Sequence, residues 1–134
     1  MIKAKIFIDT NVWFSFFYGS ENSAKIVSKF MEGKIDVFIS KNVLDELIKN
    51  ALQKIPKIQK ELLTFFETYP PEVVNFPVKI DRDVENYVDF KDRHIFQACV
   101  NANCDIFVTG NLKDFDINSI YKRHKIRVLD TTPK

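Results

Sequence analysis

The amino-acid sequence predicts an α/β sandwich built on a mainly parallel sheet, and three observations lead to it. Short apolar runs alternate along the chain with amphipathic helical stretches, the connections between them are short, and the first run turns fully apolar at Ile6-Phe7-Ile8. A strand buried on both faces reads this way, and strands alternating with helices build parallel sheets.

Each element follows in order. Lys3 to Ile8 is the first strand, stopped by Asp9-Thr10-Asn11. A helical stretch comes next, broken near Gly19 and Ser20, and resumes from Ser23 through Met31 with Ala24, Ile26, Val27 and Phe30 on its apolar face. Gly33 ends it. Val37-Phe38-Ile39 makes a second strand, after which Ser40 or Asn42 can cap a helix carrying Val43, Leu44, Leu47, Ile48, Ala51 and Leu52, closed by Pro56. Ile58 to Thr68 reads as a further helix, and Val73 to Ile80 as Pro-interrupted extended chain suited to an edge strand. Asp92 precedes an apolar helix from Arg93 to about Asn103, and Asp105 to Thr109 is the next strand, turned by Gly110-Asn111. A short helix over Asn118 to Tyr121 and a strand over Ile126 to Leu129 lead to a polar tail.

Composition bounds the rest. A chain of 134 residues, 46% hydrophobic and 28% charged, with thirteen Phe, fits one domain spanning residues 1–134 with a substantial core. Its net charge of +2 is too small to announce a nucleic-acid partner, so any basic surface is local. The longest nearly apolar run, Val12 to Tyr18, falls far short of the roughly 20 residues a membrane span needs. No membrane association and a cytoplasmic location are therefore expected. Cys99 and Cys104 have a poor spacing for a disulfide and are too few for structural zinc, so both read as buried thiols.

In an open parallel sheet, ligands bind outside the carboxyl ends of the strands. Applied to the acidic residues, this rule selects four. Asp9 follows the first strand, Glu46 lies in the first turns of the helix after the second, Asp92 starts the helix leading into the fourth, and Asp114 follows that strand. Carboxylates crowded at one edge repel, and a divalent cation offsets the repulsion. Oxygen ligands without His or Cys favour Mg²⁺ or Mn²⁺, which suits phosphodiester hydrolysis.

Plainer readings stand beside these. Asp9 can simply end a strand, Asp92 can simply cap a helix, and Asp114 can be a loop residue. At about 100° per residue Glu46 points away from the apolar arc of its helix, which makes it a solvated residue, and Asp45 fits a cleft rim equally well. His94 can touch substrate or be incidental. His124, within Lys122-Arg123-His124-Lys125, reads as a solvated turn. Lys49, Lys91 and Lys113 flank the acids and can meet phosphate or only solvent. The aromatic run Trp13 to Tyr18 is either an interaction surface or core.

Phe7-Ile8-Asp9-Thr10-Asn11-Val12, the stretch Ser40 to Leu47 with Asp45-Glu46-Leu47, Asp92 at the start of an Ala-bearing helix, and Val108-Thr109-Gly110-Asn111-Leu112-Lys113-Asp114-Phe115 together resemble the PIN domain in order and interval. The likeness covers essentially the whole chain and is greatest to the PIN-type toxins of prokaryotic toxin–antitoxin systems. It implies a three-layer α/β/α sandwich on a five-stranded parallel sheet and a Mg²⁺- or Mn²⁺-dependent endoribonuclease acting on single-stranded RNA. The resemblance also implies a cognate antitoxin and a homodimer. It makes Asp9, Glu46 and Asp92 the first three metal-binding acids and Asn11 and Thr109 polar groups that orient ligands or water. Asn111 stands where many relatives have the fourth acid and Asp114 follows three residues later, so the fourth acid is assigned to Asp114 and Asn111 reads as a further group that orients substrate or water. The alternatives are a PIN-like module that only binds RNA or protein, and a Mg²⁺-dependent phosphatase. Against a haloacid-dehalogenase phosphatase, Asn11 stands where a second Asp is expected; against a receiver domain, the paired acids and the late Lys are missing.

Overall fold

A computed structural model describes residues 2–54 and 56–131, with side chains for all of these except residues 51–57. The Ala51 and Leu52 positions on the predicted apolar helix face, and the end of the polar tail, lie outside the described side chains. The described chain runs β1 (Lys5–Ile8), α1 (Thr10–Phe17), α2 (Glu21–Met31), β2 (Asp36–Ser40), α3 (Lys41–Lys54), α4 (Pro56–Thr68) and β3 (Glu72–Val74). It continues with α5 (Arg82–Tyr87), α6 (Arg93–Asn101), β4 (Ile106–Val108), α7 (Ile117–His124) and β5 (Arg127–Leu129). All five strands pair in parallel in the order β3-β2-β1-β4-β5. The expected α/β/α sandwich is thus present, and its sheet is parallel throughout.

Side-chain alternation along β1 assigns the two faces. Ile6 and Ile8 join Val37, Ile39 and Val108 under α1 to α4, packing with Val12, Trp13, Val43, Leu47 and Leu62. Phe7 points the other way. It stands in register with Phe38 on one side and Phe107 on the other, and Phe107 with Val128, so one row crosses four strands. Phe7 stacks on Phe107 at 5.7 Å, and Phe96 of α6 meets Phe107 edge-on. Burial of side chains this size contributes about 1.5–3 kcal/mol each, so the central strands anchor the molecule.

The chain winds outward from β1 through β2 to β3, then crosses back to place β4 on the other side of β1. A crevice therefore opens beyond the carboxyl ends of β1 and β4, where the winding direction reverses. Caps fix where the helices leave that edge. Asp9 caps α1 by accepting the Thr10 N–H at 2.7 Å, and Ser40 Oγ accepts the Val43 N–H at 3.3 Å in the first turn of α3.

Several boundaries differ from expectation. Helix α2 starts at Glu21, because Ser20 Oγ accepts the Ser23 N–H, and α7 is longer than expected, capped by Asp116 and ended at the left-handed Lys125. Helix α6 stops at Asn101, and Asn103 turns the chain at φ 55°. Pro56 opens α4 as well as following α3, as suits a residue whose missing N–H costs nothing in a first turn. The extended chain after Pro71 pairs only over Glu72–Val74. Helix α5 was not expected at all, since its six residues bury only Val84 and show no helical period.

Both cysteines are buried and free, as expected. The aromatic run divides. Trp13 is fully buried, and with Phe16 and Phe17 it packs on Phe65 and Phe66 of α4, whereas Tyr18 is 52% exposed. His124 does not sit in a solvated turn: it is half-buried on the last turn of α7 and pairs with Asp83 of α5.

Candidate active site

The crevice at the carboxyl edge begins with Asp9, the residue next after β1 and only 3% exposed. Both oxygens of its carboxylate are held, one by the Thr10 N–H at 2.7 Å and the other by the Thr109 hydroxyl at 2.9 Å. Thr109 occupies the matching position after β4 and is fully buried. Its hydroxyl also accepts the Asn111 N–H at 3.1 Å, and Asn11 Oδ1 accepts the Gly110 N–H at 3.0 Å. Side chains from the end of β1 thus clasp the backbone turn after β4. A Cβ at Gly110 would meet Asn11 Cγ and Oδ1 at 3.4 Å, an ordinary van der Waals contact.

Asp9, Asn11, Phe14, Glu46, Lys91, Asp92 and Asn111 line one cleft of about 350 Å³. Glu46 belongs to this cleft although it is exposed, since the polar side of α3 faces the crevice, not bulk water alone. Partial desolvation by the cleft wall raises its pKa above the ordinary value, and the Asp9 charge raises it further. Burial likewise raises Asp9, against the Thr109 and Thr10 hydrogen bonds, with a further push from Asp114.

Asp92 ends a 3₁₀ turn (Phe90–Asp92) and is 8% exposed. Its pKa is pushed up to about 7, first by burial, then by the charge of Asp9 and by contact with Asp114, with Lys91 opposing. Asp114 ends a second 3₁₀ turn (Leu112–Asp114), and its carboxylate lies 3.4 Å from Lys91 Nζ. The two turns are laced together. Asp89 N donates to Asp114 O at 2.8 Å, Asp116 N donates to Tyr87 O at 2.8 Å, and Val88 bridges Phe115.

This lacing brings in a carboxylate that the sequence reading missed. Oxygens of Asp89, Asp92 and Asp114 lie within 4.8 Å of one another. Asp89 and Asp114 border an adjoining groove, so Asp114 reaches the main cleft through its contact with Asp92, while Asn111 lines the cleft directly. The available signal was the spacing of Asp89 and Asp92 just ahead of a helix.

Buried Asp92 Oδ2 has no hydrogen-bond partner among the described residues, and Asp114 Oδ2 has no hydrogen bond beside its 3.4 Å ion pair with Lys91 Nζ. An orphaned carboxylate oxygen in an all-oxygen cluster fits a hard divalent cation. Of the other candidates, His94 is exposed, stacks on Phe76 at 5.0 Å and does not line the cleft; Lys49 and Lys113 are exposed, and Asp45 is exposed outside it.

A family model described as the PIN domain matches residues 5–113, ending one residue short of Asp114. Among solved structures, a chain of VapBC2 from Rickettsia felis, crystallised bound to a DNA fragment from their promoter, is similar with a TM-score of 0.66. The likeness covers 94% of this chain and 98% of that one at 19% identity, so it is a likeness of fold. No curated protein matches the sequence.

Proposed function

The chain belongs to the PIN-domain family, and from that premise we propose that it is a Mg²⁺- or Mn²⁺-dependent endoribonuclease hydrolysing phosphodiester bonds of single-stranded RNA, the toxin of a toxin–antitoxin pair. The observation that carries the reading is the convergence of Asp9, Glu46 and Asp92 on one cleft at the carboxyl edge, with Asp114 against Asp92. The likeness to a chain of VapBC2 supports an antitoxin partner. The whole chain acts as one domain, in the cytoplasm and as a homodimer.

Asp9, Glu46, Asp92 and Asp114 would hold the cation, which when bound supplies Lewis-acid activation of water and neutralises phosphate charge. Everything else is the work of the chain itself. Thr109 and the Thr10 N–H fix the orientation of both Asp9 oxygens, so that the carboxylate meets its ligand without rearranging. Asn11 holds the Gly110 turn and thereby places Asn111, whose amide can donate to water or phosphate. Lys91 on the cleft wall is positioned to meet the phosphate chain.

Incubating the purified protein with single-stranded RNA in Mg²⁺, in Mn²⁺ and in EDTA tests the proposal. Cutting is expected with either ion and none in EDTA. Cutting that survives EDTA, or no cutting under any of these conditions, overturns it.

A further inference from the structure

Helix α1 leaves the acid cluster with its N-terminus and carries two kinds of aromatic residue. Trp13, Phe16 and Phe17 turn inward onto α4. Phe14 and Tyr18 sit one turn apart, Phe14 half-buried against the core and Tyr18 exposed. Phe14 lines the cleft beside Asp9 and Glu46, and Tyr18 stacks on it with ring centroids 6.3 Å apart and planes 24° from parallel. Rising about 1.5 Å per residue, the helix places Tyr18 about 6 Å farther from the acids than Phe14. Nothing else among the described rings stacks on Tyr18, which is half exposed.

We propose that Phe14 and Tyr18 form a stacking platform for unpaired nucleobases next to the scissile position, selecting single-stranded over duplex RNA. The proposal rests on the nuclease reading and adds to it the residues that choose the substrate. A ring lining the cleft and a second ring continuing outward present π-faces along the path an RNA strand takes from the acids. Bases stack on such rings without regard to sequence, whereas the bases of a duplex are already stacked on each other. Lys91 stands on the cleft wall, and Lys49, three residues after Glu46, extends from the same side of α3, so cations accompany the strand while rings take its bases.

Fluorescence anisotropy of a labelled single-stranded RNA of mixed sequence, in Mg²⁺ and in an Asp9→Asn background that blocks cutting, tests this. Tyr18→Ala is expected to weaken binding roughly 5- to 150-fold, since stacking contributes about 1–3 kcal/mol per base. Phe14→Leu, which keeps the apolar packing, should weaken it in the same sense, and Tyr18→Trp should restore it. The matching blunt duplex should bind more weakly than the single strand and be insensitive to Tyr18→Ala. Single-strand binding unchanged in Tyr18→Ala or in Phe14→Leu, or duplex binding as tight as single-strand binding, overturns the platform. Cleavage by the parent protein is scored separately, so a cutting enzyme indifferent to Tyr18 refutes the platform alone. A protein that binds RNA through Tyr18 yet never cuts refutes only the nuclease reading.

Discussion

Two layers of the same strands lie two residues apart and follow opposite rules. At Phe7 and Phe107 the sheet is a continuous apolar row, every side chain packed and none asking for a partner. At Asp9 and Thr109, just past the strand ends, side chains are as deeply buried but polar, and the neighbouring Asp92 leaves an oxygen unpartnered. The apolar row holds the fold; the carboxyl edge costs stability and gathers the candidate metal ligands. A buried charge persists only where its surroundings fix it in place, and here the row beneath supplies that rigidity.

The first way to break the comparison is from below. Phe7→Ala should cost about 3–5 kcal/mol by leaving a cavity in the middle of the row, read as a lowered denaturant midpoint. The counterpart at the edge is Asp9→Asn, which keeps shape but removes a charge and turns one of the two accepting oxygens into a donor. Cleavage should fall on the order of 10²- to 10³-fold while the denaturant midpoint stays near the parent value. An Asp9→Asn protein that unfolds like Phe7→Ala would abolish the distinction between the layers.

The row was more legible in the sequence than the edge, and the reason is physical. Burial on both faces leaves a local mark, so Ile6-Phe7-Ile8 and Val37-Phe38-Ile39 could be read as central strands directly. Asp9 and Asp92 were legible because each sits where one element ends and the next begins. Glu46 was harder. A helical wheel correctly makes it exposed, but exposure to a cleft and exposure to bulk solvent look the same from α3 alone. Asp89 and the pairing of His124 with Asp83 depend on chain segments remote in sequence, joined by backbone bonds between residues 87–89 and 114–116 and by the packing of α5 on α7. Helix α5 itself is too short for any period to show.

A smaller effect separates the two candidates for the fourth acid. Asp114 touches the cluster through Asp92, whereas Asn111 lines the cleft without charge. Asp114→Asn should weaken Mn²⁺ binding about 10- to 100-fold, the range for groups that support a metal site, and slow cutting accordingly. Asn111→Ala should leave Mn²⁺ affinity unchanged and slow turnover at saturating metal. Calorimetric Mn²⁺ titration of both proteins decides, and parental affinity and cutting in Asp114→Asn would return that residue to an ordinary loop position.

The smallest effect is the most direct measure of what the edge costs. Asp92 has its pKa raised from 3.8 to about 7, so in the folded state it binds a proton over a range where the unfolded chain has already lost it. Folding is therefore favoured by protonation, and the metal-free protein should lose stability as pH rises from about 4 through about 7. Asp9 and Glu46, also raised, push in the same direction. Thermal unfolding in EDTA should give a lower midpoint at pH 8 than at pH 5.5, by a few degrees, because about 1 kcal/mol moves the midpoint of a domain this size by roughly 3–5 °C. Asp92→Asn should raise the pH 8 midpoint and flatten the dependence, and adding Mg²⁺ to the parent protein at pH 8 should raise it as well, since a cation bound only to the folded state stabilises that state. If Asp92→Asn instead melts lower than the parent at pH 8, the carboxylate is a structural asset, and the division between a stabilising row and a costly edge does not hold.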